Sequence, residues 1–172
     1  LYGMVYYHLD QQAMESAVTE LEDQGADLII VAPHWGVEGS YRPTQEQIDL
    51  AHAAIDAGAD IVWGSHPHVL QPIEEYGDGL ILYSMGNFCF GGNGAPEDLD
   101  TVLIQQEVVK APDGRVSLGQ RKVVPCSVGS LPGKNNYQPT PLEVDSEDYS
   151  RVLQKLEGTF SGPNLKIRKI GK

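Results

Sequence analysis

The sequence predicts an α/β fold, on three observations. Two short apolar runs, DLIIVAPHWG and DIVWGSHPH, each follow a stretch whose apolar residues have helical spacing. Only one such helical stretch lies between them, which is the strand–helix–strand arrangement of a parallel unit. Beyond Pro72 the pattern changes to short runs broken by Gly-Asp and Asp-Gly pairs, which read as antiparallel strands joined by tight turns.

Each element follows from its residues. DQQAMESAVTELEDQG reads as a helix with Asp10 as its cap, Ala13, Ala17 and Leu21 on one face, and Gly25 as its stop. DLIIVAPHWG is a strand ending at His34. PTQEQIDLAHAAIDAGAD gives a second helix: Thr44 caps it, Gln47 completes a capping box, Leu50, Ala51, Ala54 and Ile55 face inward, and Gly58 ends it. DIVWGSHPH follows as a second strand. Both strands are nearly continuous apolar runs, as parallel strands covered on both faces are. IEEYGDGLILYSMGNF reads as a hairpin turning at Gly77-Asp78-Gly79, and FGGNGAPEDLD as a glycine-rich loop. TVLIQQEVVKAPDGRVSLGQRKVVPCSV gives two or three antiparallel strands around Asp113-Gly114. SLPGKNNYQPTPLEV is irregular, and a last helix runs from Ser146 to about Leu156 and stops at Gly158. No internal repeat or domain boundary interrupts the chain. It is read as part of one domain, with its core in 1–130, and an irregular segment, the terminal helix and a basic tail in 131–172.

Composition narrows the function. With 41% hydrophobic and 21% charged residues, the 172-residue chain can bury a sizeable core and is not of disordered type. No apolar run approaches the roughly 20 residues of a membrane-spanning helix. A net charge of -12 argues against a nucleic-acid partner, which would require a basic stripe to displace counterions. Lys166, Arg168, Lys169 and Lys172 cluster at the end and read as a solvated tail rather than a membrane-surface patch. Cys89 and Cys126 are too few for a disulfide scaffold and read as two small buried thiols, with pairing left open. LYGMVYY has neither the basic start nor the cleavage site of a signal peptide. A chain opening in this way on Leu1 is expected to be a processed product or a piece of a longer protein, with any targeting or anchoring segment upstream.

The chemistry concentrates in His66-Pro67-His68. Proline disfavours the helical region for the residue before it, so His66 is expected to be extended. In an extended segment, residues i and i+2 point to one side, their alpha carbons roughly 7 Å apart. His34 ends the neighbouring parallel strand, and open α/β sheets place ligands at that carboxyl edge. Three imidazoles gathered there suit zinc, manganese or iron. For His34 taken alone, satisfying backbone groups at a strand end is the simpler reading. Two acids lie nearest in sequence, Glu38 and Glu74; each is a candidate for proton transfer or for supporting a ligand rather than for ligation. His8 and His52 do not join the group, and His52 reads as a surface residue on a helix flank. Asn87 could shape the pocket rim, although a tight turn at Gly86 explains YSMGNF as well. Trp35 fits a pocket wall and core packing equally. Gly91-Gly92-Asn93-Gly94 lacks the Lys-Ser/Thr pair and helix of a phosphate cradle. Ser65 has no base and acid placed to make it a nucleophile.

VAPHWGVEGSYRPTQEQIDLAHAAIDAGADIVWGSHPHVLQPIEEYGDGLILYSMGNFCF resembles the bacterial capsule-synthesis (CapA, poly-gamma-glutamate capsule) family. The resemblance covers about residues 27 to 90 in order and spacing: HWGVE, the P-x-x-x-Q helix start, DAGADIVWGSHPHVLQPIE and YSMGNF. That family is similar in turn to the calcineurin-like metallophosphoesterases. The resemblance implies a mixed β-sandwich flanked by helices, four layers in αββα order, with a two-metal centre at the strand ends. His34 matches the lone strand-end histidine ligand of that superfamily, and Ser65-His66-Pro67-His68 its Gly-His-x-His pair, with Ser65 in place of Gly. The superfamily's Asp-bearing strand end, bridging Asp and Asn-His pair have no counterpart here, and no Asn-His dipeptide occurs in the chain. The resemblance therefore implies the carboxyl-terminal half of such a domain.

Its further implications are expectations. His34, His66 and His68 hold one or two divalent transition-metal ions (manganese, zinc or iron), and Glu38 and Glu74 are the catalytic candidates. Partners are the missing amino-terminal half, an anionic surface polymer or phosphoester substrate, and other capsule-synthesis proteins, with no nucleic acid. The location is extracytoplasmic, at the cell surface, with any membrane anchor in a segment upstream. The function is synthesis or export of poly-gamma-glutamate or a similar polymer, through a metal-dependent phosphoesterase-type hydrolase. The rival is a non-catalytic surface component that binds polymer or partner, with a vestigial or structural metal site.

Overall fold

The computed structural model describes residues 10–92 and 94–166. His8, Asn93, Arg168, Lys169 and Lys172 lie outside the described residues. Among the described residues there are three helices and seven strands, in a mixed α/β arrangement of two sheets.

Helix α1 (Gln11–Asp23) begins where the Asp10 side chain accepts a hydrogen bond from the Ala13 amide, and it ends before Gly25, whose φ is +79°. Its inward stripe runs through Met14 and Val18. Leu21, expected on that face, is 39% exposed. Strand β1 (Ile30–Val31) leads through a loop to helix α2 (Gln45–Asp56). Thr44 and Gln47 form the expected capping box there, and such a cap contributes about 1 kcal/mol. Strand β2 (Ile61–Trp63) returns parallel to β1, with Ile30 opposite Ile61. The predicted parallel unit is thus present, with strands shorter than the apolar runs suggested.

The hairpin is formed by β3 (Ile73–Tyr76) and β4 (Gly79–Leu82), turning at Gly77 and Asp78. Strand β4 lies parallel to β2, so the first sheet has the order β1-β2-β4-β3. Strands β5 (Asp100–Lys110) and β6 (Val116–Ser127) form a long antiparallel hairpin, joined along β6 by the short β7 (Thr140–Pro141). Helix α3 (Glu147–Leu156) is capped by Ser146, whose hydroxyl accepts from the Tyr149 amide.

Side-chain alternation decides the layers. Val62 and Ile81 turn to one face of the first sheet, where Val18, Ala51 and Ala54 from α1 and α2 cover them. Ile61, Leu80 and Leu82 turn to the other face and meet Ile104 and Leu118 of the second sheet. Val102, two residues before Ile104 and on the same side of β5, packs with Leu70 and with Val152 and Leu156 of α3. The opposite side of β5 carries Leu103, 44% exposed.

A buried ion network fastens α3. Lys155, 2% exposed, donates to Asp98 at 2.6 Å and to Asp100 at 2.7 Å, while Arg151 makes two further bonds to Asp100. The Lys155 ammonium also lies 4.6 Å from the centroid of the Tyr41 ring. Burial pushes the Asp100 carboxyl up, but the Arg151 hydrogen bonds and the Lys155 charge outweigh this and leave it below the ordinary carboxylate value. Burial, and then the Asp98 charge, push the Tyr41 hydroxyl up.

Both cysteines are free: Cys126 is buried as expected, but Cys89 is exposed because it falls in the surface loop after β4. Among the described residues no helix is long and apolar enough to cross a membrane.

Candidate functional site

The parallel pairing of β1 and β2 continues past their ends. Ser65 N–H donates to the Pro33 carbonyl and Trp35 N–H to the Ser65 carbonyl, both at 3.0 Å, so His34 and Ser65 stand side by side. Gly64 makes this approach possible, since a Cβ there would overlap the Tyr83 carbonyl and the Trp35 indole. That indole donates to the Tyr83 carbonyl at 2.9 Å, and Trp35 is 5% exposed, so it belongs to the core beneath the site.

The structure brings His34, His66 and His68 together. The ring centroids of His34 and His66 are 4.7 Å apart, and those of His66 and His68 5.9 Å. The backbone route differs from the expectation. His66 has φ of +103° and His68 φ of +60°, so the segment turns where an extended run was expected. Both values lie in a region that side-chain-bearing residues rarely occupy, at a cost of order 1–3 kcal/mol each. Surrounding bonds override the local preference: the Pro67 carbonyl accepts from Gly39 N–H at 2.8 Å, and the Val69 carbonyl from the Ser84 hydroxyl at 2.7 Å. Pro67, Val69 and Leu70 are buried, and burying them fixes the turn between the two histidines.

The loop between β1 and α2 is held from below. Gln47 accepts from Thr44 N–H and donates to Gln71, which donates to the Ser40 carbonyl at 2.9 Å. Residues 160–165 cross the same loop: Asn164 accepts from Tyr41 N–H, Leu165 N–H donates to the Gly39 carbonyl, and Phe160 packs edge-on against Tyr41. Nothing in the sequence marked Gln71 or Asn164 for these roles, because each acts on a residue far away in the chain.

Burial, and then the neighbouring His34 and His68, hold the His66 imidazole below its ordinary value, opposed by the Glu38 charge. Of the two sequence-predicted acids, Glu38 is exposed, and its charge is the weakest of the influences on His66. Glu74 is engaged elsewhere: it pairs with His52 at 3.0 Å and accepts from the Tyr83 hydroxyl at 2.6 Å. His52 in turn stacks on Tyr76 with centroids 3.8 Å apart, so it is tied into the α2–β3 contact rather than free on the surface. Burial, then the Glu74 hydrogen bond, push the Tyr83 hydroxyl up.

Two polar residues touch the histidines directly. Ser65 Oγ lies 3.2 Å from His34 Nδ1, and Asn87 Oδ1 lies 2.8 Å from His68 Nδ1. Phe90, 42% exposed, stands 4.9 Å from the His68 ring, centroid to centroid. Among the described residues, no three His, Cys, Asp or Glu side chains close around a single point as a ready ligand set. In chemistry the donors do fit a transition metal: three neighbouring imidazoles, two of them held through Nδ1 by oxygen atoms.

A mixed α/β domain that gathers imidazoles where its parallel strands end places its ligand-competent groups where such folds bind ligands. Residues 5–92, just over half of the chain, match the model of the bacterial capsule synthesis protein PGA_cap family, and the chain belongs to that family. It is 37% identical over 131 residues to the PGA biosynthesis protein CapA of Bacillus subtilis, covering 76% of this chain and 31% of that protein. It is 49% identical over 80 residues to the capsule biosynthesis protein CapA of Bacillus anthracis, covering 46% of this chain and 19% of that protein. A probable polyglutamine synthesis accessory protein of Mycobacterium tuberculosis is 41% identical over 61 residues, 36% of this chain and 16% of its own length. The chain therefore spans a third or less of each of these relatives.

Proposed function

We propose that this chain acts in the synthesis or export of poly-gamma-glutamate or a similar surface polymer, as part of a metal-dependent phosphoesterase-type hydrolase. The observation that carries the reading is the trio of imidazoles, 4.7 and 5.9 Å apart, on a strained turn at the end of parallel strands. The names of the relatives support the polymer. In this reading His34, His66 and His68 hold one or two divalent transition-metal ions (manganese, zinc or iron), which supply Lewis acidity for phosphoester hydrolysis. Glu38, whose charge reaches His66, holds or moves the proton. Glu74, engaged by His52 and Tyr83, keeps α2 on β3 instead. Phe90 shields one side of His68 from water.

The reading also completes the fold. Upstream sequence would add the carboxylates that bridge and charge-balance the ions, and would complete a four-layer αββα sandwich over the exposed side of β5. The partners are then that upstream half, the anionic polymer or a phosphoester, and other capsule-synthesis proteins, at an extracytoplasmic surface.

A second reading is favoured by the lack of any carboxylate closed onto the trio among the described residues: a non-catalytic component that binds polymer through a structural ion. A chromogenic phosphodiester with added manganese separates the two, using protein that includes the upstream half. Turnover that disappears in His66→Ala and His68→Ala supports the hydrolase. Turnover that survives both substitutions removes the assignment of the site, and inactivity with metal bound favours the second reading.

A further inference from the structure

The hydrogen bonds around two of the histidines determine where their protons sit. Ser65 Oγ is 3.2 Å from the Pro33 carbonyl oxygen and 3.2 Å from His34 Nδ1. The Pro33 carbonyl, which can only accept and also takes the Ser65 N–H, is the acceptor toward which the hydroxyl is directed, and in that arrangement the single hydroxyl proton is used at Pro33. The oxygen can then meet His34 only as an acceptor, and Nδ1 carries the hydrogen. The same logic applies at His68. Asn87 Nδ2 donates to the His68 carbonyl at 3.2 Å, which turns the amide oxygen toward His68 Nδ1 at 2.8 Å. An amide oxygen also only accepts, so this Nδ1 is again the protonated one.

The residues that supply these acceptors are themselves fixed. Ser65 is bridged through both of its backbone groups to Pro33 and Trp35, in the segment that follows β1. Asn87 follows Gly86, whose φ is +66° and whose N–H donates to Ser84 Oγ, while that hydroxyl donates to the Val69 carbonyl. A bridge between Leu70 and Met85 closes the same turn. Asn87 is thus tied to the segment carrying His68 by its backbone neighbours as well as by its side chain.

We propose that Ser65 and Asn87 are positioning residues that lock His34 and His68 in the Nδ1–H tautomer, so that each ring offers only Nε2 to a divalent transition metal. The inference rests on the reading of these histidines as metal ligands. An imidazole whose second nitrogen donates to a fixed oxygen is held in orientation and made more basic toward a metal. Ser65, which has no base and acid placed to make it a nucleophile, gains a role through its lone pair instead.

The test is a two-bond proton–nitrogen correlation spectrum of the histidine side chains in the intact protein at about pH 8, above the ordinary imidazole range. His34 and His68 are expected to show a protonated Nδ1 and a bare Nε2. Ser65→Ala should release His34 alone and Asn87→Leu should release His68 alone, while Asn87→Asp, which keeps the acceptor, should retain the pattern. A protonated Nε2 on either ring of the unsubstituted protein, or locked rings in both variants, overturns the proposal. Cobalt titration of the same samples, followed by visible absorption, should show roughly 10–100-fold weaker binding in Ser65→Ala and Asn87→Leu. Unchanged cobalt affinity in both variants overturns the positioning role alone. Failure of the unsubstituted protein, upstream half included, to bind cobalt, with the tautomers as expected, overturns the metal reading on which the proposal rests.

Discussion

At the scale of single residues, His66 is the informative case. Its φ of +103° is a conformation that glycine adopts without a steric penalty. His66→Gly should therefore leave stability unchanged or raise it by up to about 1 kcal/mol, while weakening metal binding. Urea denaturation checks this, and a loss of more than about 2 kcal/mol would contradict the strain account. Gly64 is the converse: Gly64→Ala should destabilise by about 1–3 kcal/mol, read from the same curves, because its Cβ meets the Tyr83 carbonyl and the Trp35 indole. The histidine trio was legible in the sequence because His-Pro-His and a strand-end histidine are local patterns. The turned backbone was not, because the Gly39 and Ser84 bonds that impose it come from other segments.

At the scale of elements, α2 and α3 differ in what could be read. The capping box of α2 lies within four consecutive residues, and Thr44→Ala should cost about 1 kcal/mol in a thermal melt. The anchor of α3 was invisible, because Lys155 resembles any helix lysine until Asp98 and Asp100, 57 and 55 residues away, come to rest beside it. Lys155→Met should cost about 3–5 kcal/mol, since it leaves buried carboxylates with one cation fewer. The pH dependence follows from the depressed Asp100 carboxyl. Its contribution is complete above the unfolded value of about 3.9 and is lost as pH falls through the lower folded value. Denaturant midpoints should therefore fall along the acid limb, and less steeply in Lys155→Met. Equal slopes would show that Lys155 does not hold Asp100 down.

At the scale of the whole molecule, the parallel unit, both hairpins and the last helix were all anticipated, since each rests on local periodicity and turn residues. The way the second sheet lies across Ile61, Leu80 and Leu82 was not, because alternation identifies a buried face without naming what covers it. Purified protein analysed for metal without any added should carry one or two equivalents of a transition metal if the nitrogen edge suffices to hold it. Metal-free protein would mean that these three imidazoles do not retain the ion by themselves.

The crossing of residues 160–165 over the loop that begins at His34 has a consequence for how the protein is made. Asn164 and Leu165 bond to Tyr41 and Gly39 across more than a hundred residues, so these contacts form only after nearly all of this chain has left the ribosome. The sheets and α2 can assemble earlier from nearer neighbours. The loop carrying Gly39 and Tyr41 is thus the last of the described segments to gain all of its bonds, after β1 and β2 on either side of it have been free to pair.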